Sequence, residues 1–453
     1  MLKFTMNALL SVTAAMYTAV SLYACQPAPQ VSVDVPAYDI PIEPEATIVN
    51  ILQSRPADSL PLQQAIDLYA TANSNVHINV KTVSGDSDYH VALRLQLLSG
   101  ERCDVFQVFS GQEAREIAPY LADISDLEWI RNAAEQSAEP LMWNNSIYGL
   151  PYSLECYGLL LNRNIFETSG ISISSLKSFA DLESAMEAIR TEAREATLTD
   201  VFPKLRNITD FPIQDKRYLT DIVANVLLTS EFESTNDVLN AKEIKLPYGA
   251  EHEELFRMMM RYSPRGDWAE RDGLSYGYQL EAFANQEIAL LLCSSADVDN
   301  ILRINPALAG RLALIPVMLP DVDESKIYTG VPMWWAIGAH STVPVQENAK
   351  RFLTWLYCSE TGSVAIAARM GITSPWFDTA KETGNPVSRQ MLTLIEKGYA
   401  EPQMWREYPY DWNADVFVPS FRSYFAGEQK WAEMLAEIRE EWAMERYAAD
   451  IIG

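Results

Sequence analysis

Glu155 stands inside an almost wholly apolar stretch, Leu150-Pro-Tyr-Ser-Leu-Glu-Cys-Tyr-Gly-Leu-Leu-Leu161, with Tyr152 on one side and Tyr157 on the other. Removing a carboxylate from water is costly unless it is paired or faces a wet cavity. An acid between aromatic rings has the makings of a ligand contact: the carboxylate accepts hydrogen bonds, and the rings offer flat apolar faces. The same residues also read as an ordinary strand with Glu155 turned to solvent, and the local sequence does not separate the two readings. Pro151 lacks a backbone donor, which suits an edge or a crossing between units.

Catalytic chemistry has little to stand on. His77, His90, His252 and His340 are scattered, without a metalloprotease pair or a Ser-His-Asp order. Glu113 and Glu116 share a helical face, but such pairs are usually solvated. A glycosidase needs two opposed carboxylates, and only Glu155 stands out. No phosphate-cradling glycine loop or metal-ligand cluster is visible, so no cofactor is expected. After Cys25 the cysteines are Cys103, Cys156, Cys293 and Cys358, none in a Cys-x-x-Cys pair. Cys156, Cys293 and Cys358 sit in apolar runs and read as buried thiols; one disulfide stays open for an exported chain.

The elements that must position Glu155 follow from periodicity. Residues 47–53 read as a strand, 61–73 as a helix, 76–80 as a strand, 89–98 as a helix and 103–109 as a strand. That alternation predicts a doubly wound α/β lobe with parallel pairing, whose ligands meet loops at the carboxyl ends of strands. Those loops carry Ser54 and Arg55, Ser110 to Gln112, and the crossing from Tyr152 to Tyr157. A second α/β lobe is expected from about residue 158, with apolar strands at 288–293 and 311–317. Residues 330–337 read as one strand and 345–357 as a helix. Trp431, Met434, Leu435, Ile438 and Trp442 share a face of a closing amphipathic helix.

Compartment and charge bound the function. Lys3, the uncharged stretch 8–22 and Leu22-Tyr-Ala-Cys25 have the layout of a secretory signal, and the cysteine resembles a bacterial lipoprotein box with Cys25 as the lipidated residue. Residues 26–46, with five prolines, read as an extended tether between anchor and body. The formal net charge of −26 argues against nucleic-acid binding, which needs basic surface.

These pieces, in order, resemble the carbohydrate-binding group of extracellular solute-binding proteins of ABC importers, which includes maltose-binding protein. Residues 98–106 are similar to the family's "sGxxPDvf" entry to a strand, and Tyr120-Leu-Ala-Asp-Ile124 to its "gxLxdL". Asn145-Ser-Ile-Tyr-Gly-Leu-Pro151 with Leu161-Asn-Arg-Asn-Ile-Phe166 resembles "g.iYglP…yNkdlF". Residues 283–289 resemble "aFxxGkaAM" and 349–356 "AxxFlxwl". The motifs run through nearly the whole chain after the tether. Ser294-Ser295-Ala296 departs from the family's Gly-Pro-Trp and so lacks its stacking ring.

The resemblance implies a two-lobed α/β periplasmic-binding-protein-like fold with a ligand cleft between lobes. Lobe 1 would span 47–155 plus 325–370, and lobe 2 would span 156–324 plus 371–453. It implies a monomer on the outer face of the bacterial membrane, lipid-anchored through Cys25, that captures a carbohydrate and delivers it to permease subunits. The implied contacts are Arg55, Ser110, Gln112, Tyr152, Glu155, Tyr157, Met333, Trp334 and Trp412, with Ser54 and Phe109 nearby. Trp334 and Trp412 would supply the rings that cover a pyranose; the competing reading makes such tryptophans core plugs. A surface-anchored glycan hydrolase and a binding protein for a cationic solute such as a polyamine are the alternatives.

Overall fold

The structure is a computed structural model and describes residues 46–134, 137–195, 197–264, 274–323, 325–376, 385–409 and 412–452. The signal segment, Cys25 and the tether up to residue 45 lie outside the described residues, as do Tyr410 and Asp411.

The chain begins β1 (Thr47–Gln53), α1 (Pro56–Ala72), β2 (Val76–Thr82), α2 (Asp86–Ser99), β3 (Val105–Val108) and α3 (Gly111–Glu116). β1 pairs parallel with both β2 and β3, as the alternation predicts. α1 starts where Arg55 is extended and Pro56 supplies a preset φ with no donor to satisfy. Its Leu62, Ala65, Ile66 and Tyr69 recur at helical spacing and are buried against the sheet. The sheet is completed by β4 (Leu150–Pro151) and β9 (Trp334–Ile337), in the order β2-β1-β3-β9-β4. Pro151 therefore sits on an edge strand, where its missing donor costs nothing.

The second sheet is built around β5 (Glu155–Asn162), buried at all eight positions. β6 (Leu290–Ser294), β7 (Leu312–Ile315) and β8 (Ile327–Gly330) pair antiparallel with β5, and β10 (Ala400–Pro402) adds parallel to β8. Helices α4 (Val298–Ile304), α6 (Glu360–Arg369) and α7 (Pro386–Glu396) bear on the cleft, α5 (Val343–Cys358) packs in the first core, and α8 (Trp431–Ile452) ends the described chain. Two separate apolar cores result. One joins Val49, Ile51, Phe106, Val108 and Trp335 to Phe352 and Leu356. The other joins Leu159, Leu160, Phe166, Phe256, Leu291 and Trp442.

The chain crosses between sheets at residues 152–154 and again at 331–333. The stretch 330–337 is thus two strands of different sheets, where periodicity predicted one. β8 belongs with the second sheet, so the first-lobe boundary expected at 325 falls later. Ile372 and Trp376 pack with the first core although 371 onward was expected in the second lobe. Cys103, Cys156 and Cys293 are free and buried; Cys358 is free but exposed, at the C-terminal end of α5, which corrects its expected burial. No described helix is long and apolar enough to cross a membrane.

Candidate functional site

The first crossing brings Glu155 against the loop that follows β1. Arg55 Nη1 lies 3.3 Å from Glu155 Oε1, and Arg55 Nε lies 2.8 Å from Asp58 Oδ2 in the first turn of α1. The Tyr152 hydroxyl donates to Asp58 Oδ2 at 2.6 Å, and the guanidinium carbon sits 5.6 Å from the Tyr152 ring centre. Burial opposes the charge on Arg55, but Glu155 and then Asp58 outweigh it and hold the guanidinium more firmly protonated than usual. Ser153 and Ser294 hydroxyls donate to Glu155 Oε1 and Oε2, each at 3.4 Å. Glu155 is 7% exposed, so its carboxylate is solvated mainly by these neighbours.

A cavity of about 400 Å³ opens at this point. Arg55 and Asp58 line it from the first sheet's loop, Ser153 and Glu155 from the crossing, and Ser295, Asp299 and Asn300 from the turn and helix after β6. The C-terminal end of α6 and residues 370–373 close another side. Among the described residues, no aromatic ring lines it. Burial pushes the Asp299 carboxyl up to about 6, with Asp58 adding to the rise and Arg303 and Arg55 opposing it. Burial also raises neighbouring Asp297 to about 6, although it accepts a hydrogen bond from the Tyr276 hydroxyl. Among the described residues, no group of three His, Cys, Asp or Glu side chains is placed to hold a metal.

The implied contacts divide sharply. Arg55, Tyr152 and Glu155 come together as one group, although Tyr152 is fully buried and its hydroxyl reaches the site through Asp58. Ser110 is spent as the cap of α3, accepting the Glu113 N–H at 2.9 Å. The Gln112 N–H points to Glu407 Oε2 at 3.3 Å. Tyr157 and Met333 are buried in the second and first cores. Trp334 is 3% exposed and donates through Nε1 to the Ser137 carbonyl at 2.7 Å. Trp412 is 0% exposed, donates to the Ile438 carbonyl at 2.7 Å and packs on Trp442. Neither tryptophan presents a face to the cavity; both rings are core. Asp58, Asp299 and Asn300 were missed. Only Asp58 carried a signal, as an acid in the turn after the first strand.

The family model described as bacterial extracellular solute-binding protein matches residues 64–390. An uncharacterised ABC transporter extracellular-binding protein of Pyrococcus horikoshii is 31% identical over 124 residues, covering 26% of this chain and 28% of that protein. That match spans little more than a quarter of the relative's length. Among solved structures, the solute-binding protein RafE with raffinose superposes with a TM-score of 0.66 at 15% identity, over 88% of this chain and 100% of that one. The maltose-bound MalE3 of T. maritima gives 0.66 at 13% identity, again over 88% and 100%. At such identities the likeness establishes the two-lobed fold.

Proposed function

The chain belongs to the bacterial extracellular solute-binding proteins, and on that premise we propose that it captures a carbohydrate outside the cell and hands it to an ABC import permease. The observation that carries this reading is the Arg55–Glu155 pair on the wall of a polar cavity between two sheets joined by short crossings. Planar charged groups and serine hydroxyls match the donors and acceptors of sugar hydroxyls. The crossings at 152–154 and 331–333 suit hinge closure over the ligand. RafE with raffinose and MalE3 with maltose lend support through a shared fold. Arg55, Asp58, Glu155, Ser295, Asp299 and Asn300 are the proposed contacts, acting as a monomer that binds without converting its ligand.

The lipid anchor at Cys25 belongs to the same reading. Radiolabelled palmitate should enter the wild-type chain in a bacterial host and not a Cys25→Ala variant. A thermal-shift screen of mono- and oligosaccharides against polyamines and amino acids tests the ligand, because only a binder of the folded state raises the melting temperature. A sugar that stabilises without release of product supports the proposal. Stabilisation by polyamines alone, or hydrolysis of a glycan, replaces it with one of the alternatives.

A further inference from the structure

We propose that Trp405, Arg406 and Glu407 form a clasp that holds the two lobes together independently of ligand. The turn is anchored in the second lobe from both ends, since Met404 and Tyr408 are buried in that core. Arg446 of α8 steadies it by donating to the Glu407 carbonyl at 2.8 Å and to the Val238 carbonyl at 3.0 Å.

From that base the turn reaches the first lobe. Glu407 Oε1 accepts the Gly111 N–H at 2.7 Å, and Oε2 accepts the Gln112 N–H at 3.3 Å. These belong to the first turn of α3, where backbone donors have no partner within the helix. Ser110 satisfies the Glu113 N–H, so the two lobes divide the capping of one helix between them. Beside this contact the Arg406 guanidinium lies 4.8 Å from the Phe109 ring of the first lobe and 3.9 Å from the Trp405 ring of the second. A cation between two rings attracts both. Glu407 is 2% exposed, so separating the lobes removes two charge-assisted bonds in a dry setting together with the ring contact.

None of the three residues lines the main cavity, so the clasp leaves room for ligand. Arg406 and Glu407 instead border a separate small space with Ser137, Gly330 and Trp334. Holding the lobes shut removes part of the cost that ligand would otherwise meet on closure, and apparent affinity rises with the closed fraction. That last consequence rests on the proposed sugar-binding function; the clasp itself does not.

The test measures the distance between lobes with no sugar present. Dyes on Val91→Cys and Val201→Cys, exposed positions of the first and second lobes, are placed in a Cys358→Ser background. Single-molecule transfer should give a larger share of short-distance molecules for this parent than for Arg406→Ala/Glu407→Ala, in which the long-distance population grows. Arg406→Ala alone, a half-buried side chain, should give a partial shift and decides the matter if the double variant does not fold. Unchanged populations in a folded variant overturn the clasp. If a sugar is found, its Kd should rise roughly 3- to 10-fold in the variants. If no sugar binds, the proposed function fails while the distance result stands.

Discussion

Arg55 and Glu155 lie 100 positions apart in the chain and meet at 3.3 Å, one in the loop after β1 and the other at the first residue of β5. One guanidinium thereby serves two carboxylates, Glu155 and Asp58, and lies near the Tyr152 ring. The arrangement joins the two sheets at their crossing and leaves the outer edges of the same groups facing the cavity. Fixing these groups before ligand arrives lowers the cost of ordering them on binding.

Arg55→Ala leaves two nearly buried carboxylates without their cation. Loss of one partner from a buried pair costs about 3–5 kcal/mol, and the 29% side-chain exposure of Arg55 reduces this to about 2–3 kcal/mol. Urea denaturation at pH 7 should show that loss. Glu155→Gln is nearly isosteric and should leave stability closer to wild type while weakening sugar affinity at least ~10-fold, the scale of a central contact. Equal affinity for Glu155→Gln and wild type by calorimetry would remove Glu155 from the site.

Trp412→Ala separates core from cleft. The ring is fully buried against Tyr408, Phe417 and Trp442, so truncation should cost about 3–5 kcal/mol. Ligand affinity of the fraction that remains folded should not change. A variant that keeps its melting temperature but loses affinity would return Trp412 to the ligand.

The parts legible in the sequence are those governed by local period. Strand and helix alternation from Thr47 to Val108 gave the parallel first sheet, and the apolar run at Leu159, Leu160 and Leu161 gave the central strand of the second. Glu155 was visible because a lone acid in such a run requires a partner. Trp334 and Trp412 read as loop rings open to a ligand, whereas the structure buries both in the cores; only tertiary packing decides which way a ring turns. The break at residues 331–333 was equally invisible: a strand that changes sheets keeps its apolar pattern throughout. Asp299 and Asn300 sit in an unremarkable helical start, and only the fold carries them to Arg55.

Gly371 is a position where a side chain cannot be added freely. Its φ of +66° lies in the left-handed region, and a Cβ there would stand 1.7 Å from Asp299 Oδ2. Gly371→Ala must strain the backbone and also displace a carboxylate that lines the cavity. About 1–3 kcal/mol of stability should be lost, with a parallel loss of ligand affinity. A stable Gly371→Ala protein with weakened binding would assign the effect to Asp299 alone; unchanged values of both would show that the carboxylate moves aside at no cost.

Asp299 gives a pH prediction with a definite sign. Burial raises its pKa to about 6, above the roughly 3.9 of an unfolded aspartate. Between these values the folded chain binds more protons than the unfolded one, so stability falls as pH rises from about 4 to about 6. Below that window both states are protonated and the penalty vanishes; above it the penalty is complete, about 1–3 kcal/mol after allowance for partial exposure. Asp299→Asn removes the titration. Its stability relative to wild type should be near zero at pH 4, rise through pH 5 and 6, and level off above pH 7. Denaturant midpoints measured in parallel across that range cancel the remaining carboxylates, which titrate alike in both proteins. A difference that is flat with pH would mean that Asp299 is not held in its protonated form by the fold.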